Sequence, residues 1–215
     1  MEDIKSILSN SQNLGFLGSG SIDGYLSHSQ GFLDVIQENN IVTDDVLDLG
    51  SGGGIPGLFL ATQLSNSRFV LLDASIRRCQ FLSEAVQSLN ISSRVQVVCE
   101  RAEIAARNTE LRGSFSLVVA RGFGQPSVTA ECAVPFLKVG GILLVSEPPS
   151  THNNQVRDGI DEDAIRWPRE GCAKLGLVVE NKTALPYSFI QLRLTDPCPD
   201  QYPRRNGVPG KKPLF

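Results

Sequence analysis

The residues best placed to do chemistry lie in a glycine-rich loop between two short apolar runs. The first run, 45–49, contains Asp48 and leads into the loop Gly50–Gly54, and the second run ends in Asp73. This order of strand, glycine loop, helix, strand and acid is typical of nucleotide-type cofactor sites, because the loop backbone can approach the ligand closely. The spacing therefore predicts a cofactor site at the carboxyl ends of two parallel strands.

Two cofactors fit this loop. Gly52, Gly54 and Gly57 match the dinucleotide fingerprint G-x-G-x-x-G, and the stretch from Asp48 also matches D-x-G-x-G-x-G, the first motif of S-adenosylmethionine (SAM) methyltransferases. A dinucleotide would bring an anionic pyrophosphate to the helix N-terminus, where Asp48 would repel it. SAM instead carries a cationic amino group and a cationic sulfonium, and a carboxylate near the loop attracts both. The charge of Asp48 favours SAM; a plain strand-to-helix turn is the structural alternative.

Length and composition fit one α/β domain, with 215 residues of which 41% are hydrophobic. The sequence has no apolar run long enough for a transmembrane helix and no basic, apolar leader at its N-terminus. The five cysteines are scattered without a CxxC pair, so we expect no metal site and a cytoplasmic location.

A net charge of −3 argues against nucleic-acid binding over the whole surface but allows a local basic patch. We expect a monomer.

Apolar runs predict seven strands, at 45–49, 69–73, 95–99, 116–120, 141–146, 177–181 and 188–194. Helical patterns separate them, at 57–64, 75–89 (with Ser75 as its cap), 100–108, 126–137 and 161–175. Alternating strands and helices predict a parallel sheet with helices on both faces. The last two strands are joined by a few residues that include Pro186, so they should form an antiparallel hairpin.

The predicted architecture is therefore α/β, a class I SAM-dependent methyltransferase fold with a seven-stranded, mostly parallel sheet. Residues 1–43 form an N-terminal helical extension, with helices near 2–9 and 25–39 and a flexible connection at 11–24 that is rich in Ser, Gly and Asn. Residues 44–195 form the SAM-binding domain. The last segment, 196–215, has five prolines and four cations, a composition that predicts an extended tail. It is either a solvated tail that packs loosely or a basic arm that reaches RNA phosphates.

Five segments are more specific than the cofactor pattern. They are Asp48-Leu-Gly-Ser-Gly-Gly-Gly-Ile-Pro-Gly, Leu72-Asp-Ala-Ser-Ile-Arg-Arg-Cys-Gln-Phe-Leu, Glu100-Arg-Ala-Glu, Val119-Ala-Arg-Gly-Phe and the ending Tyr202-Pro-Arg-Arg-Asn-Gly-Val-Pro-Gly-Lys-Lys-Pro-Leu. Together they resemble the small-subunit ribosomal RNA guanine-N7 methyltransferases (RsmG, also called GidB). The resemblance covers about residues 44–147, the last two strands and the C-terminal segment.

The resemblance implies transfer of a methyl group from SAM to N7 of a guanine in 16S rRNA, free or in the small ribosomal subunit. It implies that Asp73 accepts from the ribose hydroxyls and that Arg101 and Arg121 face the reaction as catalytic residues. The implied cofactor-binding residues are Asp48, Gly50, Ser51, Gly52, Gly54, Asp73, Ala102, Glu103 and Arg121.

The chain also departs from the family it resembles. Its N-terminal region is short and lacks the family's Tyr-Asn-Leu-Thr motif, His28 lacks the arginine that precedes it in the family, and Glu147 stands where many members carry a lysine. Three alternatives therefore stay open: a methyltransferase for another RNA or a small molecule, a SAM-binding protein without catalysis, and, more distantly, an NAD(P)-linked oxidoreductase.

Guanine N7 carries no proton, so its methylation needs no general base and depends on positioning. Because the product base is cationic, Arg121 should hold a phosphate or guanine O6 rather than N7; its structural alternative is an ion pair with Glu147 or Asp73. Phe123 could stack on the base or pack in the core. We expect His28 on a helix surface and Trp167 in a helix that faces away from the site.

Overall fold

The computed structural model describes residues 3–148, 166–183 and 186–215. In this part of the chain a single sheet contains seven strands: β1 (Asp45–Leu49), β2 (Arg68–Asp73), β3 (Val95–Cys99), β4 (Phe115–Ala120), β5 (Leu137–Ser146), β6 (Leu177–Thr183) and β7 (Phe189–Leu194). Their order across the sheet is β3-β2-β1-β4-β5-β7-β6. The first five strands are parallel, and β7 runs antiparallel to both of its neighbours, β5 and β6.

The described helices are α1 (Ile4–Asn13), α2 (Ile22–Glu38), α3 (Gly57–Gln63), α4 (Ile76–Ser88), α5 (Ala102–Ala105), α6 (Pro126–Ala133), α7 (Arg169–Ala173) and α8 (Val208–Lys211). A 3-10 turn, Val134–Phe136, follows α6. None of these described helices combines the length and the apolarity needed to cross a bilayer.

The central strands are apolar on both faces because helices cover the sheet on both sides. All six residues of β4 are buried, and so are four of the five in β1. One apolar core on each face results, with Phe32 and Phe69 in one and Phe136 and Trp167 in the other. The predicted fold class is confirmed, including the antiparallel hairpin at the end.

The segment 11–24 differs from its predicted flexible connection. Helix α1 continues to Asn13, and Leu17 is buried against Leu8 and Ile55. The Ser11 hydroxyl donates to the Gly53 carbonyl at 2.8 Å. The Ser11 side chain thus satisfies one backbone carbonyl of the glycine loop, so the N-terminal region supports that loop.

The C-terminal segment does not extend into solvent. Tyr202 is buried, and α8 packs against α6. Arg204 forms an ion pair with Glu131, whose side chain is fully buried on α6. Composition predicted an extended tail because it registers prolines and charges but not their partners. The predicted limits of the N-terminal extension (1–43), the SAM-binding domain (44–195) and the C-terminal segment (196–215) stay predictions. The predicted helix 161–175 begins with residues 161–165, which lie outside the described residues.

Candidate active site

Backbone hydrogen bonds fix the glycine loop to the end of β2. The N–H groups of Gly50 and Ser51 both donate to the Leu72 carbonyl, at 2.8 and 2.9 Å. Gly50 has φ +75°, and a Cβ there would lie 2.7 Å from Cδ2 of Phe123. A side chain at position 50 is therefore excluded both by the left-handed backbone and by the phenyl ring.

The Asp73 carboxylate links the loop to the start of α4. Its Oδ2 accepts from the Gly52 N–H at 2.9 Å and its Oδ1 from the Ser75 N–H at 2.8 Å, while Arg78 lies 3.7 Å away. Ser75 occupies the predicted capping position, but its side chain makes no capping bond. A carboxylate has about four acceptor positions, so Asp73 can also accept from a ribose.

The Asp48 carboxylate lies beneath the loop and is fully buried. Its Oδ2 accepts from the Gly57 N–H at 3.0 Å. Burial raises the pKa of Asp48 to about 7, although hydrogen bonds from Ser51 and Gly57 act in the opposite direction. Asp48 thus stabilises the turn into α3, and its direct contact with the cofactor stays a prediction.

A cavity of about 330 Å³ opens between the loop and α5, within the range of roughly 300–1,000 Å³ found for small-molecule sites. It is lined by Gly50, Leu72, Asp73, Ala74, Glu100, Arg101, Ala102, Glu103, Phe123, Val128, Cys132, Gly207, Gly210 and Lys211. We call it the cofactor cavity. Of the predicted cofactor-binding residues, Gly50, Asp73, Ala102 and Glu103 line it, whereas Asp48, Ser51, Gly52, Gly54 and Arg121 do not.

Arg101 and Glu103 meet at the far end of the cofactor cavity. The Arg101 guanidinium lies 3.2 Å from Glu103 Oε1, which also accepts from the Gly207 N–H at 3.0 Å. Burial opposes ionisation of Glu103, but these hydrogen bonds outweigh it and lower the pKa of the carboxyl. Arg101 thus lines the cofactor cavity, and its catalytic role stays a prediction.

The C-terminal wall of the cofactor cavity was missed by the sequence predictions. Gly207, Gly210 and Lys211 line it, about 100 residues from their partners in sequence. The C-terminal motif was recognised as specific, but its composition carried no signal of where it docks. The Glu103–Gly207 hydrogen bond and the lining residues of this segment show that it closes the cavity.

A second cavity, of about 440 Å³, lies at the carboxyl ends of β4 and β5. Its lining is His28, Arg121, Gly122, Phe123, Gly124, Pro126, Thr129, Val145, Ser146, Glu147, Pro148, Arg166 and Trp167. We call it the target cavity. Phe123 lines both cavities, so a ligand in one would approach a ligand in the other around its ring.

Arg121 belongs to the target cavity, not to the cofactor cavity. Its guanidinium carbon lies 5.3 Å from the centroid of the Tyr25 ring, a cation–π contact. Within the described ranges Glu147 pairs with Arg166 at 2.5 Å, and Asp73 lies near Arg78. The alternative ion pairs of Arg121 are therefore not formed, and its guanidinium stays available to a ligand.

Two further residues of the target cavity differ from their predicted places. His28 packs against the rings of Phe32, Tyr187 and Phe189, with centroids 4.8–5.6 Å apart, instead of lying on an open helix surface. Burial, followed by the charge of Arg121, lowers its pKa to about 4, so it is neutral at pH 7. Trp167 is 2% exposed and lines the cavity instead of facing away from it.

Among the described residues, no cluster of three or more His, Cys, Asp or Glu side chains could hold a metal ion.

Comparison with known proteins identifies the family. A family model described as "GidB: rRNA small subunit methyltransferase G" matches residues 23–159. The chain belongs to this family. The ribosomal RNA small subunit methyltransferase G of Caldicellulosiruptor bescii is 36% identical over 83% of this chain and 73% of that protein. The corresponding protein of Prochlorococcus marinus (strain NATL2A) is 33% identical over 80% and 68%.

Solved structures agree with the methyltransferase fold. An O-methyltransferase from Bacillus cereus in complex with SAH superposes with a TM-score of 0.64 at 18% identity, over 90% of this chain and 92% of that one. A geranyl diphosphate methyltransferase in complex with SAM gives 0.55 at 13% identity, over 79% and 85%. The predicted family, enzyme class and cofactor are thus confirmed: this family member is a SAM-dependent methyltransferase.

Proposed function

We propose that this methyltransferase transfers the methyl group of SAM to N7 of a guanine in 16S rRNA. The observation that supports this most directly is the pair of cavities that meet at Phe123. One has the glycine loop and acid of a SAM site, and the other has room for one planar base. The target cavity also offers a guanidinium from Arg121, which suits a phosphate or guanine O6.

The residues of the cofactor cavity fit SAM. Bound SAM supplies an electrophilic methyl group on its sulfonium. Gly50 leaves the backbone open at the loop, and Asp73 presents a carboxylate that is already held in place from two sides. Ala102 and Glu103 form the opposite end, where an apolar wall and a carboxylate suit an adenine ring with its amino group.

The chemistry in the target cavity needs no proton transfer, because N7 presents a lone pair directly. His28 is neutral at pH 7 and lies among rings, an arrangement that suits packing more than acid–base work. What the chain supplies is orientation: Phe123 on one wall, Trp167 on another, and Arg121 held by Tyr25. Positioning of this kind can be worth about 7 kcal/mol of the barrier.

Exposed cations of the C-terminal segment support an RNA-binding role. Arg204 is engaged with Glu131, whereas Arg205 and Lys212 are exposed. We propose that these two contact RNA phosphates. Because the segment also forms a wall of the cofactor cavity, deleting it would disturb both sites. Replacing Arg205 and Lys212 by alanine should weaken RNA binding and reduce its salt dependence, with SAM affinity unchanged.

The partner would be 16S rRNA, free or in the small subunit, encountered by a monomer in the cytoplasm. The deciding experiment is transfer of labelled methyl from SAM to 16S rRNA and to small subunits that lack the family's modification, mapped by strand scission at 7-methylguanine. One labelled guanine is the expected result. SAM binding without transfer would contradict the proposal and favour another substrate or a non-catalytic role.

A further inference from the structure

The target cavity contains buried polar atoms without a partner in the described part of the chain. They are Nε1 of Trp167 and Nδ1 of His28. A buried donor or acceptor that has lost its water and gained no partner destabilises a fold, and native proteins keep few of them. Both atoms belong to side chains that line the cavity, so this wall has polar groups whose hydrogen bonding the described part of the chain leaves incomplete.

Glu147 adds a fixed carboxylate to the same cavity. Its side chain is only 6% exposed, and its backbone N–H donates to the Ser188 carbonyl at 2.8 Å. Arg166 binds its Oε2 at 2.5 Å, which holds the group without using all of its acceptor positions. The carboxylate can therefore accept further hydrogen bonds from a ligand in the cavity.

We propose that Glu147 selects guanine by accepting from its N1–H and its 2-amino group. This inference rests on the proposed function. Guanine is the RNA base that presents two adjacent donors on its Watson–Crick edge, and a carboxylate is purely an acceptor. Adenine offers an acceptor at N1 and no 2-amino group, so it would leave the remaining acceptor positions of Glu147 without a donor and would set the N1 lone pair against the carboxylate. That penalty produces discrimination.

The remaining lining fits the same ligand. N7 lies on the edge of guanine away from N1, so a base held by Glu147 presents N7 to the other side of the cavity. Phe123 and Trp167 offer rings on which a base can stack. Methylation leaves a positive charge on the base, and a nearby carboxylate favours that charge.

Inosine at the mapped target position tests this directly, because it keeps N7, O6 and N1–H and lacks the 2-amino group. The wild-type enzyme should methylate the guanosine RNA with a kcat/KM roughly 10- to 100-fold higher than the inosine RNA, the range expected for one specific base contact. Glu147→Gln should lower kcat/KM for the guanosine RNA and leave only the part of the guanosine-to-inosine ratio that does not depend on this contact. SAM affinity should be unchanged. Glu180→Gln, whose carboxylate pairs with Arg193 on the hairpin, is the matched control and should keep the ratio.

Equal wild-type rates on the two RNAs would overturn the inference while leaving the proposed function intact. A Glu147→Gln enzyme that keeps the full ratio would overturn it as well. SAM binding with no transfer to any guanosine would instead overturn the proposed function, and the inference with it. The first comparison uses the wild-type enzyme, so it does not depend on whether a variant folds.

Discussion

The side chains that line the cofactor cavity and those that line the target cavity differ in how their polar groups are satisfied. In the cofactor cavity the Asp73 carboxylate accepts from two backbone N–H groups, and Glu103 accepts from Arg101 and Gly207. In the target cavity Trp167 and His28 each have a buried nitrogen without a described partner.

The difference matches the kind of ligand that we propose for each cavity. A cofactor that is the same in every turnover can be met by a preformed network, which reduces the ordering needed on binding. An RNA base arrives attached to a large partner, and we propose that groups with free acceptor positions, such as the Glu147 carboxylate, select it. Changes in the first cavity should therefore affect stability and SAM affinity, and changes in the second should affect turnover.

The largest effect should follow from Arg204→Ala behind the cofactor cavity. It leaves the fully buried Glu131 carboxylate without its ion pair, which typically costs about 3–5 kcal/mol. Urea denaturation should show this loss of unfolding free energy. Arg205→Ala removes the same charge from an exposed neighbour and should change stability by less than about 0.5 kcal/mol. Equal stabilities of the two variants would show that the C-terminal wall is not held by this pair.

Asp48 beneath the same cavity should make stability depend on pH. Its folded-state pKa, about 7, lies above the ordinary 3.8, so the folded state keeps the proton more tightly and stability falls as pH rises from about 4 to 7. The full loss amounts to about 4 kcal/mol. Asp48→Asn keeps an acceptor for Gly57 and lacks this titration. We therefore expect the unfolding free energy of the wild type to decrease relative to that of the variant between pH 5 and pH 8. At pH 8 the two values should be equal, or the variant should be the more stable protein.

Asp73→Ala should weaken SAM binding by roughly 100-fold, about 3 kcal/mol, because two charge-assisted hydrogen bonds to the loop and to the start of α4 are lost together with the proposed ribose acceptor. Calorimetric titration with SAM measures this directly. Asp45→Ala, at the opposite end of the sheet, removes a carboxylate that pairs with Arg68 and should leave the affinity unchanged.

Arg121→Ala should act on the other cavity. We expect kcat/KM for RNA to fall about 10- to 100-fold through loss of a charge-assisted contact, with SAM affinity kept. Arg77→Ala serves as the matched control, since Arg77 makes a similar contact with Phe16 outside both cavities. Unchanged turnover in Arg121→Ala would show that Arg121 makes no contact with the RNA that matters for the reaction and serves only the structure.

The smallest effect should come from Trp167→Phe. The smaller ring loses packing in the core, and removal of the unpartnered indole N–H offsets part of that loss, so we expect the unfolding free energy to fall by about 1 kcal/mol or less. We expect kcat/KM for RNA to fall roughly 5- to 10-fold, because the wall of the target cavity changes shape. A large loss of stability with normal turnover would show that Trp167 serves the core alone and would weaken the contrast between the cavities.

The sequence predicted the cofactor cavity better than the target cavity. The strands β1 and β2 begin and end within one residue of their predicted limits, and Gly50 and Asp73 line the cavity as expected. These residues are local in sequence, and the turn between a parallel strand and its helix has a limited set of geometries. The places of Trp167 and His28 were predicted wrongly because their surroundings include residues far away in the chain, such as Tyr187 and Phe189 beside His28.

The sequence by itself determined the fold class, the glycine loop and the acid after β2, because hydrophobic periodicity and glycine spacing act over short distances. Only the tertiary structure decided that the C-terminal segment closes the cofactor cavity, that Arg121 lies in the target cavity and that Glu147 is fixed by Arg166. Each of these depends on contacts between residues far apart in the chain. Such contacts are set by packing and by the pairing of buried charges, which residue spacing does not record.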